Sequence, residues 1–312
     1  VYATEKLVAI SRQSKNVRPI GKIIDEKSFV NAIVALHATG GSTNHTLHLP
    51  AIASTAGIKI TWEDFAEISE VTPLLAKIYP NGSADVNQFH AAGGMSYIIS
   101  ELLNQNLLHN DVKTIFGESL EDYTKEPFIE KNNELNWGKR SVKSLDNSII
   151  RPVNNPFRKN GGLKMLNGNI GKSVIKVSSI DESQCKISAQ AMVFKNEQEV
   201  KEAFNQGKLD RNVIIVVRFQ GPKSNGMPEL HGLTPLMSVI QDKGFNVALV
   251  TDGRMSGASG KIPSAIHVCP EAADGGNIGV IKNGDKITID LINGSLNVEA
   301  DLNAREKNNL SN

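Results

Sequence analysis

The chain has 312 residues, with 34 Lys and Arg against 33 Asp and Glu and a formal net charge of +1. That length can bury a sizeable core and accommodates two domains, while the even charge removes the electrostatic case for nucleic acid. No apolar run reaches the roughly 18 residues a membrane helix needs, and Val1 to Lys6 shows no charged stretch followed by an apolar one, so the expectation is a cytoplasmic protein without membrane or nucleic-acid partners.

Residues 1–18 read weakly as helix. Asp25 to Ala38 places apolar side chains at Phe29, Ile33, Val34 and Leu36, which predicts a buried helix closed by Gly40-Gly41. A second helix is expected from Ser42 or Thr43, capped by a hydroxyl, to Gly57. The Gly40 to Thr43 junction then offers backbone N–H groups to an anion, beside the plainer reading of a helix–turn–helix. Thr61-Trp-Glu-Asp64 is a capping box for a third helix, and Thr72-Pro73 suits the start of a fourth. His37, His45 and His48 are not spaced to put three ligands on one helical face, so they read as packing or substrate-contact residues. Asn81-Gly82 is a turn, and Asp85 to Gly94 leads into a helix through Leu103. Further on, Lys125 to Lys131 reads as a charged connection around Pro127. Pro152, Pro156 and Gly161-Gly162 interrupt any regular element, so the domain boundary is placed there, giving domains 1–150 and 151–312.

Beyond that break the pattern turns mostly to strand. Leu163 to Leu166, Ser173 to Val177 and Ile187 to Phe194 look like strands, and Asn196 to Gln206 like a helix. Asn293-Gly294 lies between ITIDL and SLNV, a hairpin signal. Several strands with tight hairpins argue for a small barrel or sandwich. Cys185 and Cys269 are 84 residues apart and form no CxxC pair. Two isolated cysteines cannot supply a cluster's usual thiolates, and both read as buried small hydrophobes.

Two loops carry the chemistry. Val213 to Phe219 is an apolar run that opens into Gln220-Gly-Pro-Lys-Ser-Asn-Gly-Met-Pro-Glu229. Val247 to Val250 is a second such run and opens into Thr251-Asp-Gly-Arg-Met-Ser-Gly-Ala-Ser-Gly260. Buried strands that end in polar, glycine-rich loops are where open α/β sheets place ligands. Asp252 and Arg254 are expected to pair and hold the second loop, with Ser259 and Lys261 as hydrogen-bonding neighbours.

GPKSNGMPELHGL (221–233) and TDGRMSGASGKIPSAIHVCPEA (251–272) closely resemble the dihydroxy-acid and phosphogluconate dehydratases. The likeness extends through IDEKSFVNAIVALHATGGSTNHTLHL (24–49) and YPNGSADVNQFHAAGG (79–94), and so covers nearly the whole chain. It implies an α/β protein: the trailing part of an α/β N-terminal domain, then a C-terminal β-barrel-like domain with flanking helices. HAAGG and KSNGMPELHGL favour the phosphogluconate branch, so the implied substrate is a phosphorylated sugar acid, 6-phospho-D-gluconate, dehydrated in the Entner–Doudoroff pathway. A branched dihydroxy acid or an unphosphorylated sugar acid is the alternative. The resemblance makes Ser256 the base and Glu229 a magnesium ligand. Lys223, Asn225, Arg254, Ser259, Gly41 and Ser42 become candidate substrate contacts, with Lys223 the candidate for the phosphate. It further implies an iron–sulfur (4Fe-4S) cluster, Mg2+ and a homodimer. The cluster's cysteines precede the region present here, so the chain reads as the C-terminal portion of a longer enzyme, inactive in isolation.

Overall fold

The structure is a computed structural model that describes residues 1–79, 81–139, 143–178, 180, 184–255 and 261–306. The chain divides into two compact units: Val1–Gly41 with His45–Gly161, and Ser42–Asn44 with Gly162–Asn312. Among the described residues no helix is long and apolar enough to cross a membrane.

The first unit is built on helices α1 (Tyr2–Ala9), α2 (Ile20–Ile23), α3 (Glu26–Thr39), α4 (His45–Thr55), α5 (Trp62–Val71), α6 (Val86–Ala92) and α7 (Gly94–Asn104). Reciprocal capping starts three of them, through Asp25 with Ser28, Thr61 with Asp64, and Asp85 with Gln88. Each pair satisfies two backbone N–H groups that the first turn leaves without a helical partner. Helix α3 stops where Gly40 turns to φ +61, and the amides of Gly40 and Gly41 donate back to His37 and Leu36. Val34, Ala38, Leu75, Phe89, Tyr97, Ile98 and Leu102 form the core of this unit.

Three expectations change here. Helix α4 begins at His45 rather than at Ser42 or Thr43. No helix starts at Thr72-Pro73: Thr72 closes α5, and Leu74 and Ala76 bridge Arg158 and Ile150 in extended backbone. A residue before proline disfavours the α region, and here the chain stays extended afterwards. Lys125 to Ile129 is a strand, β1, paired antiparallel with β2 (Leu135–Lys139). Its pattern is hidden by charge, yet Phe128 and Trp137 are strand formers and Asn133, at φ +64, makes the turn.

The second unit is a closed eight-stranded barrel. Its strands are β3 (Leu163–Asn167), β4 (Lys172–Lys176), β5 (Lys186–Phe194), β6 (Val213–Val217), β7 (Val247–Thr251), β8 (Ser264–Cys269), β9 (Lys286–Asp290) and β10 (Ser295–Val298). Their order is β10-β3-β4-β8-β7-β6-β5-β9, with β5 to β8 parallel and β9 antiparallel to both of its neighbours. Every residue of β6 and β7 is buried, because successive side chains serve two cores. Ile214, Val216, Ala248 and Val250 join a cluster drawn from all eight strands, which fills the barrel. Val213, Ile215, Val217, Val247 and Leu249 face the other way. Helices α8 (Glu197–Asn205) and α10 (Leu233–Asp242) cover that second face with Val200, Ala203, Leu233, Met237 and Ile240. The short α9 (Pro222–Asn225) lies in the loop after β6. The resulting α/β architecture, a mixed barrel with flanking helices, is the one the sequence implied.

Candidate active site

Strands β6, β7 and β8 hand their carboxyl ends to three loops, and one buried acid ties these together. The carboxylate of Asp252, just past β7, accepts the amides of Gln220 at 2.9 Å, Phe219 at 3.2 Å and Ala272 at 2.9 Å. Burial pushes its pKa upward, opposed by those three amides. The expected Asp252–Arg254 pair does not form. The chain bends at Asp252-Gly253, which turns the acid to backbone and leaves Arg254 to another partner.

A second acid closes the loop after β6. Glu271 accepts the amides of Lys223 at 2.9 Å and Ser224 at 3.2 Å, so the start of α9 already holds a carboxylate. The Lys223 ammonium, exposed, pairs with Asp274. Asn225 donates to the side-chain oxygen of Gln220 at 2.9 Å, and Gln220 donates in turn to the carbonyls of Lys195 and Phe219. Lys223 and Asn225 are thus engaged in shaping the loop. Phe219, Met227 and His267 all stand at positive φ, between +56 and +60. Left-handed backbone costs an L-residue on the order of 1 kcal/mol, and such outliers cluster where surrounding structure over-determines them.

Glu229 and Arg254 meet at the centre. Their backbones form a parallel bridge, and the Leu230 amide donates to the Arg254 carbonyl at 3.0 Å. Arg254 Nη1 donates to Glu229 Oε2 at 2.7 Å and its Nε to the Met227 carbonyl at 2.7 Å. The two side chains remain 31% and 22% exposed, so the pair is reachable from solvent. Close by, His267 donates its amide to Gly253, and burial, with Arg254 adding to it, lowers its pKa to about 3.

The tripeptide Ser42–Asn44 belongs to this unit and reaches the same place. Ser42 Oγ accepts the Asn44 amide at 3.2 Å. Thr43, fully buried, donates its hydroxyl to the Met255 carbonyl at 3.1 Å, one residue before Ser256. Asn44 Nδ2 lies 3.5 Å from Glu229 Oε2. The amides of Gly40 and Gly41 are committed to closing α3, so the anion site expected from a helix start at this junction is not formed by them. The sequence suggested Thr43 as a helix cap and part of an anion junction, not as the anchor of the Met255 carbonyl, and Asn44 carried no signal beyond membership of the GGSTN run. Ser256 and Ser259 lie outside the described residues, and Lys261 pairs with Asp242 at 3.7 Å. A polar cavity of the first unit, about 550 Å³ around Asn104, His109 and Asp111, contains none of these residues.

The residues present fit two cofactors unequally. Among the described residues no set of three His, Cys, Asp or Glu side chains converges as metal ligands. Cys269 is exposed at the end of β8, not buried as expected, and Cys185 packs half-buried against the barrel core. Partial desolvation of the thiol still raises the Cys269 pKa, with Asp274 and Glu271 adding to it, which opposes the thiolate a cluster requires. An iron–sulfur cluster does not fit this chain's own side chains. A hydrated hard cation does fit: Glu229 offers a carboxylate that is partly open to solvent.

Residues 148–311 match the model for the dihydroxy-acid/6-phosphogluconate dehydratase C-terminal domain, and residues 2–123 match that for the N-terminal domain. The chain belongs to the dihydroxy-acid/6-phosphogluconate dehydratase family. It is 51% identical to a phosphogluconate dehydratase of Pseudomonas aeruginosa over 96% of its length and 49% of the relative's. It is 53% identical to that of Zymomonas mobilis over 94% of its length and 48% of the relative's. A dihydroxy-acid dehydratase of Sulfurisphaera tokodaii is 40% identical over 89% of the chain and 47% of the relative. The chain therefore spans about half the length of the curated relatives it matches. In this chain, the two loops that carried the resemblance are those that Asp252 ties together.

Proposed function

We propose that this chain works within a hydro-lyase that converts 6-phospho-D-gluconate to 2-dehydro-3-deoxy-6-phospho-D-gluconate and water. The observation that carries the reading is the identity of 51% and 53%, across nearly the whole chain, to two phosphogluconate dehydratases, against 40% to a dihydroxy-acid dehydratase. The reaction removes a weakly acidic proton beside a carboxylate and expels a poor leaving group, so it needs a base and charge stabilisation. Ser256 is the proposed base. Thr43 holds the carbonyl of Met255 and so fixes the backbone from which Ser256 departs. A serine hydroxyl becomes basic only near positive charge, which a metal ion or Arg254, two residues away in the chain, would supply. Glu229 is the proposed magnesium ligand, held in place by Arg254. A divalent cation bound there supplies charge neutralisation for the substrate's carboxylate. Ser42, Lys223, Asn225 and Ser259 remain proposed contacts to the substrate. The cluster the family implies needs cysteines beyond the two here, so the 312-residue chain alone is expected to be inactive. A homodimer is the proposed assembly.

The test is turnover by the full-length enzyme of 6-phosphogluconate against 2,3-dihydroxyisovalerate. Preference for the branched acid sinks the substrate assignment and favours the second branch of the family. Ser256→Ala is expected to remove nearly all turnover with the fold intact. Turnover within a few-fold of the parent would rule Ser256 out as the base.

A further inference from the structure

The chain is poor in aromatic residues, with 10 Phe, 4 Tyr and 2 Trp in 312. Four of them nevertheless line one cavity of the first unit. Tyr2, Phe116, Tyr123 and Trp137, with Asp122 and Lys125, enclose about 330 Å³, within the range of small-ligand pockets. Tyr2 comes from α1, Tyr123 from the 3-10 turn Leu120–Thr124 and Trp137 from β2. Phe116 is the hub. Its ring lies edge to face with those of Tyr123 and Trp137, at centroid distances of 5.2 and 5.5 Å, and Trp137 reaches Tyr2 at 6.5 Å. Such contacts fix the rings against one another, yet Tyr2 and Trp137 stay 41% and 38% exposed. The rings thus wall an open cavity rather than fill a core. Charge at this wall is uneven. Lys125 pairs with Asp122 at 3.2 Å, whereas the Lys6 ammonium stands 5.7 Å from the Phe116 centroid. Among the described residues no carboxylate or hydrogen-bond acceptor meets that ammonium.

We infer that this cavity binds a purine nucleotide, its base among the rings and its phosphate on Lys6. The inference is independent of the reaction and of the residues proposed to carry it out. Aromatic walls accept two kinds of guest, a cation over a ring face or another π system stacked on it. Two ammonium groups against one carboxylate disfavour the cation, and Lys6 already occupies the face of Phe116. A planar ring that carries a negative charge meets both features of the wall. Stacking reads the π face and hardly the identity of the base, while the ammonium meets the phosphate as a point charge. One open stack and one exposed charge contact make a weak site, with Kd on the order of 1 mM.

The experiment is a titration of the 312-residue chain with AMP, adenosine, ribose 5-phosphate and choline, followed by tryptophan fluorescence. Trp137 lines the cavity and is the reporter, while Trp62, which donates to the Thr46 carbonyl at 3.0 Å, does not line it. AMP should quench saturably, adenosine should bind about 3-fold more weakly, and ribose 5-phosphate and choline should neither quench nor compete. Trp137→Phe should remove the quench. Phe116→Leu should weaken AMP and adenosine alike, by about 10-fold, with circular dichroism checking the fold. Lys6→Glu should weaken AMP about 5-fold and leave adenosine as it was, a selective loss that a damaged fold cannot produce. The inference falls if AMP gives no saturable quench, if the quench survives Trp137→Phe, or if choline binds more tightly than AMP. It falls equally if Lys6→Glu changes AMP and adenosine to the same extent.

Discussion

Asp252 shows how one side chain shapes a site that it need not touch chemically. Its two oxygens serve amides from the loops after β6 and β8, while its own backbone belongs to the loop after β7. Asp252→Ala strands three N–H groups, and each unmet buried donor costs about 1–3 kcal/mol. A loss of about 3 kcal/mol or more is expected in urea unfolding, and a loss below about 1 kcal/mol would show that water replaces the carboxylate. The acid was visible in the sequence as part of TDGR, but its partner was not. A loop acid beside an arginine invites an ion pair, and nothing local says that Glu229, 25 residues upstream, will take the arginine instead. Thr43 and Asn44 were less legible still, since their partners lie about 200 residues away and no local pattern encodes that distance.

Elements were legible where their apolar spacing was uninterrupted. The strands β6 and β7 are unbroken runs of Val, Ile, Leu and Ala, and such runs announce burial on both faces. The capping boxes at Thr61 and Asp85 announce helix starts for an equally local reason. The β1–β2 pair was not legible, because Lys125, Glu126 and Pro127 argue against a strand while cross-strand pairing overrides them. The helix layer is open to a direct test. Met237 of α10 is fully buried against β6 and β7, so Met237→Ala should cost about 2–5 kcal/mol through lost contact and cavity. A smaller loss means that α10 collapses onto the gap. The β9–β10 turn gives a pH signature. Asp290 accepts the amides of Ile292 and Asn293 and pairs with Lys186, and the Asn293 amide leads in holding its pKa down to about 2. A carboxylate depressed on folding stabilises above its unfolded value, near 4, and that gain is lost as pH falls towards 2. The stability difference between the parent and Asp290→Asn should therefore shrink from pH 5 to pH 2, and a constant difference would refute this account.

On the scale of the whole chain, each unit buries one neutral histidine. In the first unit His37 donates Nε2–H to the Phe65 carbonyl at 2.9 Å and burial lowers its pKa to about 4; in the second, His267 titrates near 3. As pH falls below the unfolded value of about 6.5, only the unfolded chain gains these protons, so stability present above that value drains away towards pH 4 and 3. Urea midpoints should drop across this range, and His37→Gln, which keeps a donor for Phe65 but cannot take up the proton, should flatten the drop. An unchanged slope would place the acid sensitivity elsewhere. The units divide at Gly161 and Gly162 rather than at 150 and 151, and the sequence offered no hint that three earlier residues belong to the second unit.

That stray tripeptide limits how such a protein can be taken apart. Ser42–Asn44 sits more than a hundred residues ahead of the unit it completes, so no single scission yields two self-sufficient pieces. A fragment starting at Gly162 would keep the barrel and Glu229, yet lose the hydroxyl on the Met255 carbonyl and the amide beside Glu229. For a breeder of chimaeras, the rule is that a transplanted barrel must carry its matching GGSTN along, or arrive well folded with its loop unmoored.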